Sequence, residues 1–254
     1  MFYISMMQET FFKLIKKGNA EELQYLLQKC TTDPSLLDVN QHTSEGVTGL
    51  QMAIENEDID VTQMLLQCPY VNVNKVDAKL NWPPLFFCLS GGSTCYDLLK
   101  LILTLRKDCF LHHKDSLERT ALHLVAISNL AFQAQLLIDY KADLNAKTLE
   151  GDTPLHLAIR HGSTEVALIL IERNALLDVK NESKQTPLHL AVMEKAANLT
   201  NILLKLLEEK DIDFNSLQDC DGCTPLHIAV KAQHRGLIDL LTQKGFRWDL
   251  KNSE

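Results

Sequence analysis

The sequence predicts an all-α solenoid of stacked helix-turn-helix units, and three observations carry that prediction. A hexapeptide recurs in phase, as "TALHLV" from Thr120, "TPLHLA" from Thr153 and Thr186, and "TPLHIA" from Thr224, at spacings of 33, 33 and 38 residues. Each copy is followed by a helix stop and a second apolar run, so the repeated unit is a pair of helices. The chain of 254 residues is 46% hydrophobic and 23% charged, which suits a folded protein. A lone pair of short helices cannot offset its conformational entropy, so the units must stack.

Sliding the pattern upstream finds weaker copies: "ETFFKL" (Glu9 to Leu14, stopped at Gly18), "TGLQMA" (Thr48 to Ala53) and "PPLFFC" (Pro83 to Cys88). The chain reads as one domain over 1–254 with approximate repeats at 5–36, 43–76, 78–113, 115–147, 148–180, 181–218 and 219–254, the outer two as caps. The remaining spacings are 39, 35 and 37 residues, and the long spacings, the 38 of repeat six included, imply short insertions, which loops absorb cheaply. Repeat five shows the local logic. Thr153 is an N-cap and Pro154 occupies the first helical position, where a missing N–H costs nothing. Leu155, Ala158 and Ile159 recur as a buried stripe, and Gly162 supplies the left-handed stop. A second helix, "STEVALILIERN", starts at Ser163-Thr164 with Glu165 early. Its Val166, Leu168, Ile169, Leu170 and Ile171 predict burial on more than one side. The segment Ala175 to Gln185 then returns the chain to the next "TPLH".

These residues resemble the ankyrin-repeat family, whose pattern runs roughly D-x-x-G-x-T-P-L-H-x-A, a helix stop, V-x-x-L-L and G-A-D-x-N. "KADLNAKTLEGDTPLHLAIRHGSTEVALILIERNALLD" and "DCDGCTPLHIAVKAQHRGLIDLLTQKG" match it closely. The resemblance is strong from about Asp115 to Gly245 and weak before. Lys184 replaces the turn glycine of repeat six, Gln51 and Phe86 replace the first-helix histidine, and Gly49 replaces its proline. The resemblance implies protruding β-turn or hairpin loops and a concave face of turn tips and first helices, where family members contact partners. It places Leu117, Ile127, Leu149, Glu150, Asp152, Arg160, His161, Glu182, Gln185, Met193, Glu194, Asp221 and Lys231 there. It assigns Thr120, His123, Thr153, Pro154, His156, Thr186, Pro187, His189, Thr224, Pro225 and His227 to the structural motif. It also makes Asn145 a candidate hydroxylation acceptor, beside the alternative that Asn145 stabilises its turn.

Chemistry is sparse. His123, His156, His189 and His227 recur with the repeat, which a catalytic histidine has no reason to do; each is expected to hydrogen-bond backbone and cap groups. Cys220 and Cys223 form a Cys-x-x-Cys near His227 but lack a fourth ligand and a second paired motif, so no metal or cofactor is expected. His112 and His113 read as a solvated turn. Glu45, Glu55, Glu57, Asp58 and Asp60, with no nearby basic residue, read as a solvated acidic face or as one that steers a basic peptide. No glycine-rich phosphate loop, Gly-x-Ser-x-Gly elbow or His-Glu-x-x-His occurs, and no enzyme is expected.

The net charge of −8 and pI of about 5.6 argue against a nucleic-acid partner. No apolar run reaches the roughly 20 residues of a membrane span. The N-terminal lysines follow the apolar stretch, the reverse of a secretory signal. Seven scattered cysteines suit free thiols. The expectation is a monomeric cytoplasmic or nuclear adaptor for another protein. The alternatives are an inhibitor resembling those of NF-κB-type transcription factors and a host-directed effector.

Overall fold

The computed structural model describes residues 2–89 and 94–247. Among them are fourteen α-helices, which follow one another in pairs. The pairs are α1 (Phe2–Lys17) with α2 (Ala20–Thr32), α3 (Gly49–Glu55) with α4 (Ile59–Gln67), and α5 (Pro84–Phe87) with α6 (Cys95–Leu105). They continue as α7 (Ala121–Ser128) with α8 (Ala131–Asp139), α9 (Pro154–Arg160) with α10 (Thr164–Glu172), α11 (Pro187–Met193) with α12 (Ala197–Glu209), and α13 (Pro225–Lys231) with α14 (Arg235–Gln243). The expected C-terminal cap falls partly on residues 248–254, outside those described, as does the stretch 90–93 of repeat three.

Contacts divide the chain into two compact units, one of Met1–Ser116 with Asp139–Lys141 and one of Leu117–Ile138 with Ala142–Glu254. In the first, α1, α3 and α5 pack in a row, as do α2, α4 and α6, with α2 against α1 and α4 against α3. In the second, α7, α9, α11 and α13 form the row, with α10, α12 and α14 packed against α9, α11 and α13. The motif leucines Leu122, Leu155 and Leu188 are fully buried.

Two local expectations are corrected. The longer spacing of repeat six is taken up mainly by a helix: α12 has 13 residues where α10 has 9. The two-sided burial expected of α10 is uneven, with Val166, Ala167 and Leu170 buried and Leu168, Ile169 and Ile171 only half-buried. Leu168 instead opens onto a shallow groove shared with Leu199 and Ile202 of α12.

Between helix pairs the chain makes short hairpins. Thr43 N–H donates to Val47 O, Thr148 to Asp152, Asn181 to Gln185 and Asp219 to Cys223, all at 2.8–3.0 Å. The tight turn needs a left-handed residue, supplied by Gly46, Gly151 and Gly222 but by Asn81, Glu118 and Lys184 elsewhere. Lys184, at φ +55°, therefore makes the same turn as the glycine it replaces. Neighbouring hairpins are tied by single main-chain bonds: Ala78 N to Gly46 O, Leu149 N to Leu117 O, Glu182 N to Glu150 O and Cys220 N to Ser183 O, at 2.8–3.2 Å.

Candidate functional site

The recurring histidines are a seam. At His156, Nδ1 accepts from the Thr153 backbone N–H at 3.2 Å and lies 2.8 Å from Thr153 Oγ1. Because Nδ1 is an acceptor, the proton sits on Nε2, which donates to Gln185 O of the next hairpin at 3.1 Å. His123 makes the same pair of contacts to Thr120 and Asp152 O, and His189 to Thr186 and Cys223 O. Each imidazole thus closes a capping box and staples its repeat to the following one. Burial disfavours the charged ring, lowering the pKa of His156 and bringing that of His189 down to about 4. His227 caps α13 in the same way but is half-buried.

The upstream departures resolve residue by residue. Gln51 does the histidine's work with an amide: Oε1 accepts from Thr48 N–H at 2.7 Å, and Nε2 donates to Trp82 O at 2.8 Å and Lys75 O at 3.1 Å. Phe86 cannot. Its buried ring meets Trp82 and His113 edge-on, with centroids 6.0 and 5.7 Å away, while His113 Nε2 lies 2.8 Å from Asn81 O. His113 is therefore packed and bonded where a solvated turn was expected. Gly49 has no proline-like role; a Cβ there would meet the Phe11 ring at 2.7 Å.

A second seam was read in the sequence only at Asn145, and there as stabilising its own turn. In Asp38-Val39-Asn40, Asn72-Val73-Asn74, Asp143-Leu144-Asn145 and Asp213-Phe214-Asn215, the first carboxyl or amide oxygen accepts from the backbone N–H two residues on at 2.9 Å. The second asparagine then reaches the next repeat, accepting from the N–H of Asn72, Phe110, Leu176 and Arg247 respectively at 2.7–2.9 Å. The repeating D/N-x-N spacing was the available signal. Asn145 is one of these bridges, so its Oδ1 has a structural task.

The residues expected to meet a partner fall into two kinds. Leu117, Ile127, Leu149, Glu150, Arg160 and His161 line one groove of about 290 Å³ in the second unit, joined by Arg119, Thr148 and Leu157. Leu117 and Leu149 are 50% and 61% exposed. Asp152 is the correction: it is fully buried and unavailable to a partner. Its carboxylate accepts from Arg160 Nη1 and, at 3.3 Å, from Nη2, and from Asn181 Nδ2 at 2.8 Å. The buried charge is thereby paired and bonded, and it fixes Arg160 in the groove wall. Glu182, Glu194, Asp221 and Lys231 are exposed outside this groove. Gln185 is half-buried, with Nε2 donating to the Sδ of the exposed Met193 at 3.4 Å.

The acidic set of repeat two is partly spent on structure. Glu57 Oε2 accepts from Thr94 N–H and Oγ1–H at 3.1 and 2.9 Å, and Asp58 caps α4 through Val61 N–H at 2.9 Å. Burial first, then Glu45 and Asp77, raise the Glu55 pKa against Lys79, a neighbouring cation that the sequence reading overlooked. Cys220 is exposed and Cys223 buried. The Cys223 carbonyl accepts from His189 and its N–H donates to Asp219 Oδ1 at 2.8 Å. No group of three or more His, Cys, Asp or Glu among the described residues is placed to hold a metal ion. No helix among them is long and apolar enough to cross a membrane.

Helix pairs joined by short hairpins and stapled to one another by the capping histidines define a repeat scaffold. The model of ankyrin repeats in three copies matches residues 85–181 and 174–252, well over half the chain, and the chain belongs to the ankyrin-repeat family. It is 33% identical over 138 residues to NF-kappa-B inhibitor alpha of Gallus gallus, covering 54% of this chain and 43% of that protein. It is 25% identical over 123 residues to the tyrosine-protein kinase HTK16 of Hydra vulgaris, covering 48% and 16%. The chain thus spans less than half the length of these curated relatives. The crystal structure of the ankyrin repeat domain of Bcl-3, described as a unique member of the IkappaB protein family, superposes with a TM-score of 0.77 at 21% identity. That match covers 91% of this chain and 97% of the other.

Proposed function

We propose that the chain is a non-catalytic adaptor, a seven-repeat ankyrin array over 1–254 that holds a partner protein on its hairpin tips and first helices. The observation that carries this reading is the clustering of six expected contact residues in one groove whose rim leucines stand exposed. Apolar side chains gathered at one surface site are a mark of interaction, and here exposed Leu117 and Leu149 stand beside half-buried Ile127. Membership of the ankyrin family supports a protein partner, and the protein is proposed to act as a monomer in the cytoplasm or nucleus.

The test is affinity capture from source cells with the wild-type chain and a variant carrying Leu149→Glu, His161→Glu and Met193→Lys. All three side chains are exposed, so the fold is expected to persist. Arg160 is left in place because a carboxylate there would face buried Asp152. A partner bound by the wild type and lost with the variant supports the reading; one retained by both moves the site elsewhere.

A second reading, an inhibitor of an NF-κB-type factor, is favoured by the identity to NF-kappa-B inhibitor alpha. Saturable binding of a purified NF-κB-type dimer, abolished by the same variant, would support it. The absence of binding would leave the general adaptor.

A further inference from the structure

The main-chain bonds that tie hairpin to hairpin leave an open donor in the first unit. In the hairpin of repeat three, Asp77 N–H makes the closing bond to Trp82 O, and the next N–H, that of Ala78, donates to Gly46 O of repeat two at 2.8 Å. Leu149, Glu182 and Cys220 hold the corresponding place in their hairpins and use it in the same way. In the hairpin of repeat two that place is Ser44, one residue after Thr43. Its N–H meets no acceptor among the described residues. The reason is local. Helix α1 has 16 residues where α3 has 7, so helix occupies residues 2–8, ahead of the Glu9 at which the motif begins, where later repeats have a hairpin.

Ser44 lines a cleft of about 860 Å³ between α1 on one side and the hairpin of repeat two with Met52 on the other. Its apolar lining is Ile4, 46% exposed, with half-buried Phe12 and Met52. Gln8, only 7% exposed, supplies a second open group. Its Nε2 donates to Asp38 O at 3.0 Å, while its carboxamide oxygen accepts from nothing among the described residues. The charges balance. Lys13 and Lys16 face Glu9 and Glu45 in the lining, and none of the four makes an ion pair among the described residues.

A main-chain donor and an enclosed amide acceptor beside apolar side chains, with no net charge, match the peptide unit, which carries one acceptor and one donor. An unpaired main-chain edge is likewise where a further segment can pair, as at the edge of a sheet. We infer that this cleft takes an extended segment of a partner protein that continues the row of hairpins. A peptide carbonyl of the segment accepts from Ser44 N–H, a peptide N–H donates to Gln8 Oε1, and an apolar side chain enters beside Ile4, Phe12 and Met52. The surface is separate from the groove of the second unit, and the inference rests on the adaptor reading in taking its occupant to be a protein.

The experiment is a random-sequence peptide display selection on the whole purified chain, followed by binding of the selected peptides to Ser44→Pro, Ser44→Ala, Ile4→Glu and Leu149→Glu, with circular dichroism to confirm folding. Ser44 is the second residue of the turn closed by Gly46 N–H to Thr43 O at 3.0 Å, a place that accepts proline. Ser44→Pro therefore deletes the N–H and keeps the turn, and Ser44→Ala deletes only the hydroxyl. The expected result is peptides that bind Ser44→Ala as they bind the wild type, but bind Ser44→Pro and Ile4→Glu at least about tenfold more weakly, a loss of about 1.4 kcal/mol. Peptides weakened by Ile4→Glu and indifferent to Ser44→Pro would overturn the inference, since the cleft would then bind side chains alone. Peptides sensitive only to Leu149→Glu would overturn it and leave the adaptor reading standing on the second-unit groove. Self-association of the chain that Ser44→Pro abolishes in sedimentation equilibrium would put a second copy in the cleft and overturn it. No enrichment would also overturn it, and the cell capture experiment then decides the adaptor reading separately.

Discussion

A seam residue can be judged by what its protonation would do. His189 sits at about 4 in the folded chain because it is buried, against an ordinary value of 6.5. A folded-state value below the unfolded one means that the unfolded chain binds the proton first as pH falls. The stability that His189 contributes is therefore complete above pH 6.5 and is lost between 6.5 and 4, on the order of 3 kcal/mol. Urea midpoints followed across that window should fall, and His189→Gln should flatten part of the fall, since Gln51 shows that an amide makes both bonds. A variant with an unchanged pH profile would remove His189 from the acid response. Turn residues allow a paired check. Gly151→Ala should destabilise by about 2 kcal/mol, because φ is +74° and the new Cβ would lie 2.9 Å from the Glu182 amide nitrogen. Lys184→Gly, which relieves a left-handed side chain, should stabilise by about 0.5–1 kcal/mol. Both are read from denaturant midpoints.

At the level of helices and hairpins, stability rests on the buried first-helix row, and the adaptor reading places specificity on what projects from it. Leu188→Ala in α11 should cost about 2–5 kcal/mol as a buried cavity. Glu150→Ala at a hairpin tip should stay within about 0.5 kcal/mol in either direction, since its ion pair is exposed. If the two changes moved the urea midpoint equally, the assignment of inner and outer positions would fail. The helix pairs were legible because caps, prolines and apolar periodicity all act locally, within about four residues. What stayed hidden acts across repeats. Nothing within "EGDTPLH" reveals that Asp152 turns inward to Arg160 and Asn181 while Glu150 stays outside, because the deciding partner, Asn181, belongs to the next hairpin. The same holds for Glu57, whose acceptor role depends on Thr94, and for His113, which occupies the edge of Phe86.

For the whole molecule, local terms sum along the array, so protection should follow the quality of the seam. Hydrogen exchange is expected to be faster over residues 2–80 than over 115–230, where His123, His156 and His189 recur without a break. Helix α5, four residues long with no side-chain cap bond, should protect less than α9 or α11. Uniform protection along the chain would contradict this ordering. The repeat periodicity follows from spacing, whereas six of the groove's nine residues came only from the family resemblance and Arg119, Thr148 and Leu157 from neither. The acid–base state of the seam was not legible, because it depends on how deeply each ring is enclosed.

The single bonds between neighbouring hairpins, such as Leu149 N–H to Leu117 O and Cys220 N–H to Ser183 O, join main chain to main chain. They hold whatever side chain is present, so tip residues such as Leu117, Leu149, Glu182 and Cys220 can be replaced over generations without disturbing the spacing of the scaffold. Under the proposed adaptor reading, recognition can thus drift, or be redirected to a new partner, by substitutions that selection for folding scarcely notices.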